Sequence, residues 1–270
     1  MKELETIRDL FKPIQPTIKT GNKKIKYEEV RLSGQTSCFV YCFWQLKTLE
    51  KLEQPFVYRV VSDGCIDILF NHKQPAENFI IGFCRKYSEF QIGEDFDYIG
   101  IRFLPAAFPV LFGIDAKYLV EKTQELKNVL PDFSDWMITQ LKPDVSFEKI
   151  RHLLNKKIEA IVENIHFEFD TRFFNSLILI LKKNGYVDAE KYLNTGISPR
   201  QLRRLFNYYI GTSPKVFSNI VRFQYVLSAT SAEKQLRTNK IYYDVGFYDQ
   251  AHFIKTFKTF YGVTPSEAFR

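Results

Sequence analysis

The last hundred residues of the chain contain an internal repeat at an offset of 51 residues. The segment at 198–214 (SPRQLRRLFNYYIGTSP) aligns with the segment at 249–265 (DQAHFIKTFKTFYGVTP), and apolar residues, a glycine and a proline recur at matched positions. Self-similarity at a fixed spacing indicates a supersecondary unit that is used twice. The repeat therefore limits the C-terminal part of the fold to two copies of one small helical unit.

Each copy has the start and stop signals of a helix. Ser198, followed by proline, and Asp249 are good N-caps, and Gly211 and Gly262 are typical C-terminal stops. A shorter helical pattern and a glycine-containing turn precede each helix, which is the plan of a helix-turn-helix motif. The expected recognition helices are 198–209 and 249–261, within motifs at about 187–209 and 240–261.

The first of these helices has a basic outer face. Large apolar residues form its inner stripe, and Arg200, Arg203 and Arg204 fall on the opposite side at helical spacing. Three guanidinium groups on one side repel one another, and each can make bidentate contacts to phosphate or to guanine. The second helix turns Ala251 and Ile254 outward, so we expect it to favour thymine methyl groups or to contribute less to sequence preference.

Charge and spacing both favour DNA as the partner of this region. Residues 1–170 have 23 Lys and Arg against 25 Asp and Glu, whereas residues 171–270 have 15 against 6. Such asymmetry points to an anionic partner for the basic end. The stretch from Pro214 to about Ala232 predicts a connecting helix of roughly 28 Å. That length approaches the ~34 Å between successive major-groove faces on one side of B-DNA.

The motifs of the basic region, taken together, resemble the AraC family of bacterial transcription regulators over about residues 172–270. The motifs that carry the resemblance are GISPRQL at 196–202, GTSP at 211–214, RFQ at 222–224, GFYDQAHF at 246–253 and GVTP at 262–265. The resemblance implies a seven-helix domain whose two recognition helices enter adjacent major grooves. By position it implies DNA contacts by Ser198, Arg200, Gln201, Arg203, Arg204, Gln250, Ala251, His252 and Lys255.

The front half is predicted to be a separate domain of residues 1–165, followed by the DNA-binding domain of residues 166–270. Short aromatic and β-branched runs separated by turn residues predict strands, and a helical period follows them. We expect an α+β protein, with a small antiparallel barrel-like N-terminal domain and an all-α C-terminal domain. The predicted strands are 37–46, 56–61, 65–71, 78–84 and 98–104, and the predicted helices are 106–113, 116–129, 132–141 and 146–165.

Part of the front half also resembles the small β-rich sensory domain of one AraC-type branch. The motifs are SDGCID at 62–67, GIRFLP at 100–105 and LFG at 111–113. Asp63 and Asp67 are expected as a turn cap and a polar residue at the rim. The four cysteines lie in apolar settings without metal-ligand spacing, so we expect buried thiols and no metal or other cofactor.

The expected function is transcription regulation by binding double-stranded DNA, without enzymatic activity. One alternative is a ligand-binding or enzymatic barrel fused to a DNA-tethering module, and another is a module that docks its basic end on an acidic protein. A small-molecule effector and contact with RNA polymerase stay open. The apolar stripe from Ile150 to Ile165 fits either core packing or a homodimer. The charged N-terminus and the absence of a long apolar run predict a cytoplasmic chain without membrane association.

Overall fold

The structure is a computed structural model that describes residues 2–16, 23–165, 167, 170–187, 196–229, 246–247 and 249–269. Within these ranges, strands dominate the first half and helices the second. The strands are β1 (Ile25–Arg31), β2 (Val40–Thr48), β3 (Val57–Val60), β4 (Ile66–Asn71), β5 (Gln74–Ile81), β6 (Ser88–Gln91), β7 (Asp97–Phe103) and β8 (Thr123–Glu125). The helices are α1 (Lys2–Leu10), α2 (Ala107–Phe112), α3 (Pro131–Gln140), α4 (Phe147–Glu163), α5 (Thr171–Lys182), α6 (Pro199–Ile210), α7 (Pro214–Ala229), α8 (Gln250–Tyr261) and α9 (Pro265–Ala268).

Six strands form one antiparallel sheet in the order β1-β2-β7-β4-β5-β8, and β3 pairs with β6 in a separate two-stranded sheet. The predicted α+β class, with an antiparallel N-terminal sheet and a helical C-terminal region, is confirmed. The large sheet does not close, because β1 and β8 are edge strands. It is barrel-like only in that the β3–β6 sheet covers part of its face.

One predicted element is wrong. The helix expected at 116–129 is instead a 3-10 turn at Ala116–Leu119, strand β8 and a second 3-10 turn at Leu126–Asn128. Glu121 has a φ of 55°, which interrupts any helix there. Residues 123–125 then pair with the edge of β5, so hydrogen bonds to a sheet replace those within a helix.

Polar groups on the covered face of the sheet form a buried cluster. Trp44 lies against Gly100 of the neighbouring strand, where an added methyl group would come within 2.2 Å of its ring. The indole donates a 3.1 Å hydrogen bond to Asp67, and Arg102, which is 1% exposed, donates one of 3.0 Å to the same carboxylate. The expectation of a rim position for Asp67 is therefore wrong, because the β3–β6 layer covers this face.

The other expected core features are present. Cys38, Cys42 and Cys65 are buried free thiols and Cys84 is half-buried, and burial raises the pKa of each thiol. Asp63 caps its turn by accepting a 3.0 Å hydrogen bond from the Cys65 amide. None of the helices in the described ranges is both long and apolar enough to cross a membrane.

The two halves share one hydrophobic core. Helix α1 packs against α5, and the ring of Phe11 lies 6.3 Å from that of Phe217 on α7. In α4, Ile150, Leu154 and Ile158 are fully buried, so the first half of the apolar stripe packs in the core. The boundary between residues 165 and 166 stays a prediction.

Candidate nucleic-acid interface

Helix α6 begins and ends at the residues that the repeat indicates. The Ser198 hydroxyl accepts a 3.3 Å hydrogen bond from the Gln201 amide, and Gly211 adopts a left-handed conformation with a φ of 91°. The Gly211 amide closes the last turn on the carbonyl oxygens of Phe206 and Asn207. Both ends of the helix are therefore defined by local hydrogen bonds.

The two faces of α6 have different environments. Leu202, Phe206 and Tyr209 are buried, and the Phe173 ring of α5 lies 5.1 Å from Phe206 and 4.5 Å from Tyr209. The residues that are exposed are Ser198, Arg200, Arg203 and Arg204, with Gln201 half-buried. The packed aromatic face fixes the rotation of the helix, so the three arginines face solvent on the same side.

Helix α8 repeats this arrangement. The Asp249 carboxylate accepts a 2.7 Å hydrogen bond from the His252 amide, and Gly262 ends the helix with a φ of 101°. Three phenylalanines form the buried face: Phe253, Phe257 and Phe260. The outward residues are Gln250, Ala251, His252, Ile254, Lys255 and Lys258.

Helix α7 connects the two units and packs on both. Its Phe217 ring lies 6.2 Å from Phe206 of α6, and its Phe223 ring lies 5.4 Å from each of Phe257 and Phe260 of α8. The described helix has 16 residues, which is about 24 Å at 1.5 Å per residue. The leading-helix patterns at 187–194 and 240–245 lie outside the described residues, except for residue 187.

Arg222 on α7 joins the approaches to both recognition helices. Its guanidinium donates to the carbonyl oxygens of Gly185, at 3.0 Å, and Gly246, at 3.3 Å. It also lies over the rings of Tyr186 and Phe247. Burial lowers the pKa of Arg222 below its ordinary value. The RFQ motif at 222–224 contains this residue, but the sequence alone does not indicate its role, because both of its carbonyl partners are distant in the chain.

The N-terminal part holds the C-terminal end of α6. A methyl group added at Gly211 would lie 2.7 Å from a methyl carbon of Val120 and 3.2 Å from the Ala116 carbonyl oxygen. The Tyr208 hydroxyl donates a 3.4 Å hydrogen bond to the carbonyl oxygen of Gly113.

Two loops of the N-terminal part also contact the C-terminal end of α8. The Ser62 amide donates to the carbonyl oxygen of Phe260, and the Tyr87 amide donates to that of Thr259, both at 3.2 Å. The last four carbonyl groups of a helix have no partner within it. Amide groups of the N-terminal part thus satisfy two of the four at the end of α8, and an added methyl group at Gly262 would come within 2.9 Å of the Tyr87 ring.

The outer face of α6 also borders a cleft of about 1090 Å³. Asp115 and Lys117, from the turn before β8, line this cleft together with the three arginines. The structure thus brings the predicted readers of α6 together on one open face. Within the described ranges, no three His, Cys, Asp or Glu side chains come together as a metal site.

Comparisons with known proteins find a match in each part of the chain. Residues 194–270 match the family of helix-turn-helix domains, and residues 33–125 match a domain family of unknown function, DUF6597. An uncharacterized HTH-type transcriptional regulator of Haemophilus influenzae is 32% identical over 124 residues. The match covers 44% of this chain, and the chain spans 40% of that relative's length. Two solved structures of ToxT from Vibrio cholerae are 13% identical, cover 92% of this chain and 98% of their own, and give TM-scores of 0.39 and 0.38.

Proposed function

Because residues 194–270 are a helix-turn-helix domain of the AraC type, we propose that this chain is a sequence-specific DNA-binding transcription regulator. It inserts α6 and α8 into successive major grooves on one side of a duplex. The observation that carries the proposal is the open face of α6, where Arg200, Arg203 and Arg204 stand together on a helix with defined ends. The proposed activity is binding alone, with no chemical step and no cofactor.

The proposed contacts follow from position on each helix. Arginine pairs bidentately with guanine or phosphate, so the three arginines of α6 are the main readers. Ser198 and Gln201, at the start of α6, contact phosphate or base, where free amide groups favour an anion. On α8 the proposed contacts are Gln250, Ala251, His252 and Lys255.

The two helices contribute unequally in this proposal. Ala251 and Ile254 are exposed on α8 but cannot donate hydrogen bonds, so their contacts are apolar and suit thymine methyl groups. The exposed Lys255 and Lys258 add attraction to phosphate. We therefore propose that α6 sets most of the sequence preference and α8 adds affinity.

A further part of the proposal concerns partners other than DNA. The N-terminal half senses a small effector, and the proposed site is the cavity of about 350 Å³ between its two sheets. RNA polymerase and a second copy of the chain are the further partners that we propose.

Selection of DNA from a random pool tests the proposal, followed by fluorescence anisotropy with the enriched duplex at two salt concentrations. We expect one enriched site with two half-sites about one helical turn apart, and affinity that falls steeply with salt. A scrambled duplex of the same length and composition is the control. Equal, weak binding to every duplex would contradict sequence-specific regulation and favour a basic module that docks on an acidic partner.

A further inference from the structure

A turn of the N-terminal part, formed by residues 113–119, lies beside the C-terminal half of α6. The Tyr208 hydroxyl of α6 donates its hydrogen bond to the Gly113 carbonyl oxygen of this turn. Asn207 and Tyr208, both half-buried, line the cleft that the three arginines of α6 also border, and Lys117 of the turn lines it as well. The arginine face of α6 therefore continues onto the 113–119 turn.

The 113–119 turn is held firmly by the N-terminal part. Ala116 and Leu119 are buried, and a methyl group added at Gly82, directly after β5, would lie 1.8 Å from the Leu119 carbonyl oxygen. The Asp115 carboxylate accepts a 2.8 Å hydrogen bond from the Lys117 amide. The main chain of Lys117 is thus fixed before a partner arrives, which lowers the conformational cost of a contact.

The charges along the cleft favour an anionic partner. Of the described residues that line it, four are cationic, namely Lys117 and the three arginines, and one, Asp115, is a carboxylate. Lys117 is exposed, whereas Asp115 is half-buried and engages the main chain of its own turn. A groove with an excess of one charge attracts a partner of the opposite charge.

The length of α6 places this turn at the DNA backbone. The 12 residues of α6 extend about 18 Å, whereas the major groove is only about 12 Å wide and 8.5 Å deep. A recognition helix contacts the base edges with its N-terminal residues. With Arg200, Arg203 and Arg204 at the bases, the C-terminal end of α6 comes to the phosphate strand that borders the groove. The 113–119 turn is at that end.

We infer that the N-terminal part contributes a DNA contact of its own, in which a phosphate strand lies in the cleft between α6 and the 113–119 turn and Lys117 binds one of its phosphates. This inference rests on the proposed function and goes beyond it, because the proposed contacts all belong to the C-terminal part. A phosphate contact adds affinity and fixes the position of the protein, but it carries no base preference.

The first experiment measures the salt dependence of binding to the selected duplex. Lys117→Ala should raise the Kd about fivefold or more at about 50 mM salt, and equally for single-base variants of the site. The ratio of its Kd to the native Kd should fall about threefold by about 200 mM salt, because one fewer counterion is released.

Lys122→Ala is the matched control, since it removes the same charge from an exposed position nearby that does not line the cleft. It should change the Kd less than about twofold, because exposed charges at a distance are screened by salt. Equal effects of the two variants, or no effect of Lys117→Ala, would overturn the contact.

The second experiment locates the phosphate. Single phosphates of the selected duplex are replaced in turn by neutral methylphosphonates, and the Kd is measured for each duplex. The native chain should lose affinity at one or two phosphates that flank the half-site of α6. Lys117→Ala should be less sensitive than the native chain at those positions alone, and Lys122→Ala should keep the native profile. Identical profiles for the native chain and Lys117→Ala would overturn the placement.

A third measurement separates this inference from the proposed function. If selection enriches no site, sequence-specific regulation fails, but binding to an unrelated duplex still depends on phosphate contacts. With that duplex, Lys117→Ala should reduce the slope of log Kd against log salt by about one, and Lys122→Ala should not. Equal slopes for the native chain and Lys117→Ala would overturn the contact even where a specific site is found.

Discussion

The side-chain amide of Gln224 on α7 donates a 2.8 Å hydrogen bond to the carbonyl oxygen of Ser62, which lies 162 residues earlier in the chain. The same side chain accepts from the Ile14 amide at 2.8 Å and is 3% exposed. Gln15 in turn bonds the main chain of Val61 and the carboxylate of Asp63. The connecting helix α7, which packs on both α6 and α8, is thus fastened to the loop that caps α8.

Gln224→Ala should lower the free energy of unfolding by about 2–3 kcal/mol, because it leaves buried main-chain groups at Ile14 and Ser62 without partners. Gln250→Ala, at an exposed position on α8, is the matched control and should stay within about 0.5 kcal/mol of the native chain. Urea unfolding of the three proteins provides the comparison. A similar small effect for both variants would show that water replaces the lost bonds.

Arg204→Ala should weaken binding to the selected duplex by about 1–3 kcal/mol and relax the preference at one base pair. Arg172→Ala removes the same charge from α5, where Asp170 already binds it, and should weaken all duplexes slightly and evenly. Anisotropy against a set of single-base variants of the site distinguishes the two. Uniform weakening by Arg204→Ala would assign Arg204 to phosphate rather than to a base.

Gly211→Ala should destabilise the protein by about 2–4 kcal/mol, since it adds a side chain in a left-handed conformation and presses on Val120. Gly113→Ala, with a φ of 67° and nothing within 4 Å of the new methyl group, has only the conformational cost. Adding Val120→Ala should recover part of the loss in Gly211→Ala and none in Gly113→Ala. Thermal unfolding of these variants tests the contact, and an absence of rescue would contradict it.

The pH dependence of stability should include a contribution from Asp67. Burial raises the pKa of Asp67 to about 6, although Arg102 opposes the shift. The folded state thus holds this proton more tightly than the unfolded state, whose pKa is near 3.9. The stabilisation of the folded state by this bound proton is complete below about pH 4, and it is lost as the pH rises through about 6.

Urea unfolding of the native chain and of Asp67→Asn across this range measures the effect. Asparagine does not titrate, so the difference in free energy of unfolding between the two proteins should shift against the native chain as the pH rises. A difference that is flat with pH, or that shifts in its favour, would show that Arg102 keeps Asp67 ionised throughout.

Local features of the recognition helices could be predicted from the sequence. Ser198, Asp249, Gly211 and Gly262 act within a few residues of themselves, and the structure places each cap where the repeat indicates. The resemblance to AraC regulators is confirmed for residues 194–270 by the helix-turn-helix match. The DNA contacts themselves remain a prediction.

Contacts between distant segments could not be predicted. The hydrogen bond from Ser62 to Phe260 depends on how the two halves of the chain pack together. A periodic pattern in the sequence does not predict that packing. The cross-strand pairing of Asp67 with Arg102 requires the sheet order, and the burial of Arg102 requires the second sheet. The prediction of a helix at 116–129 was wrong for a related reason. The edge of β5 provides hydrogen-bond partners for residues 123–125 that lie outside that segment.

The cap on α8 has a consequence for how this protein tolerates change. Both of its hydrogen bonds come from main-chain amide groups, at Ser62 and Tyr87, so replacing either side chain leaves the donor in place unless proline is introduced. Alanine scanning would therefore not detect these hydrogen bonds. The length of the two loops matters instead, since one inserted residue moves the donor off its carbonyl. Mutational sensitivity at this contact should therefore appear for insertions and deletions far more than for substitutions.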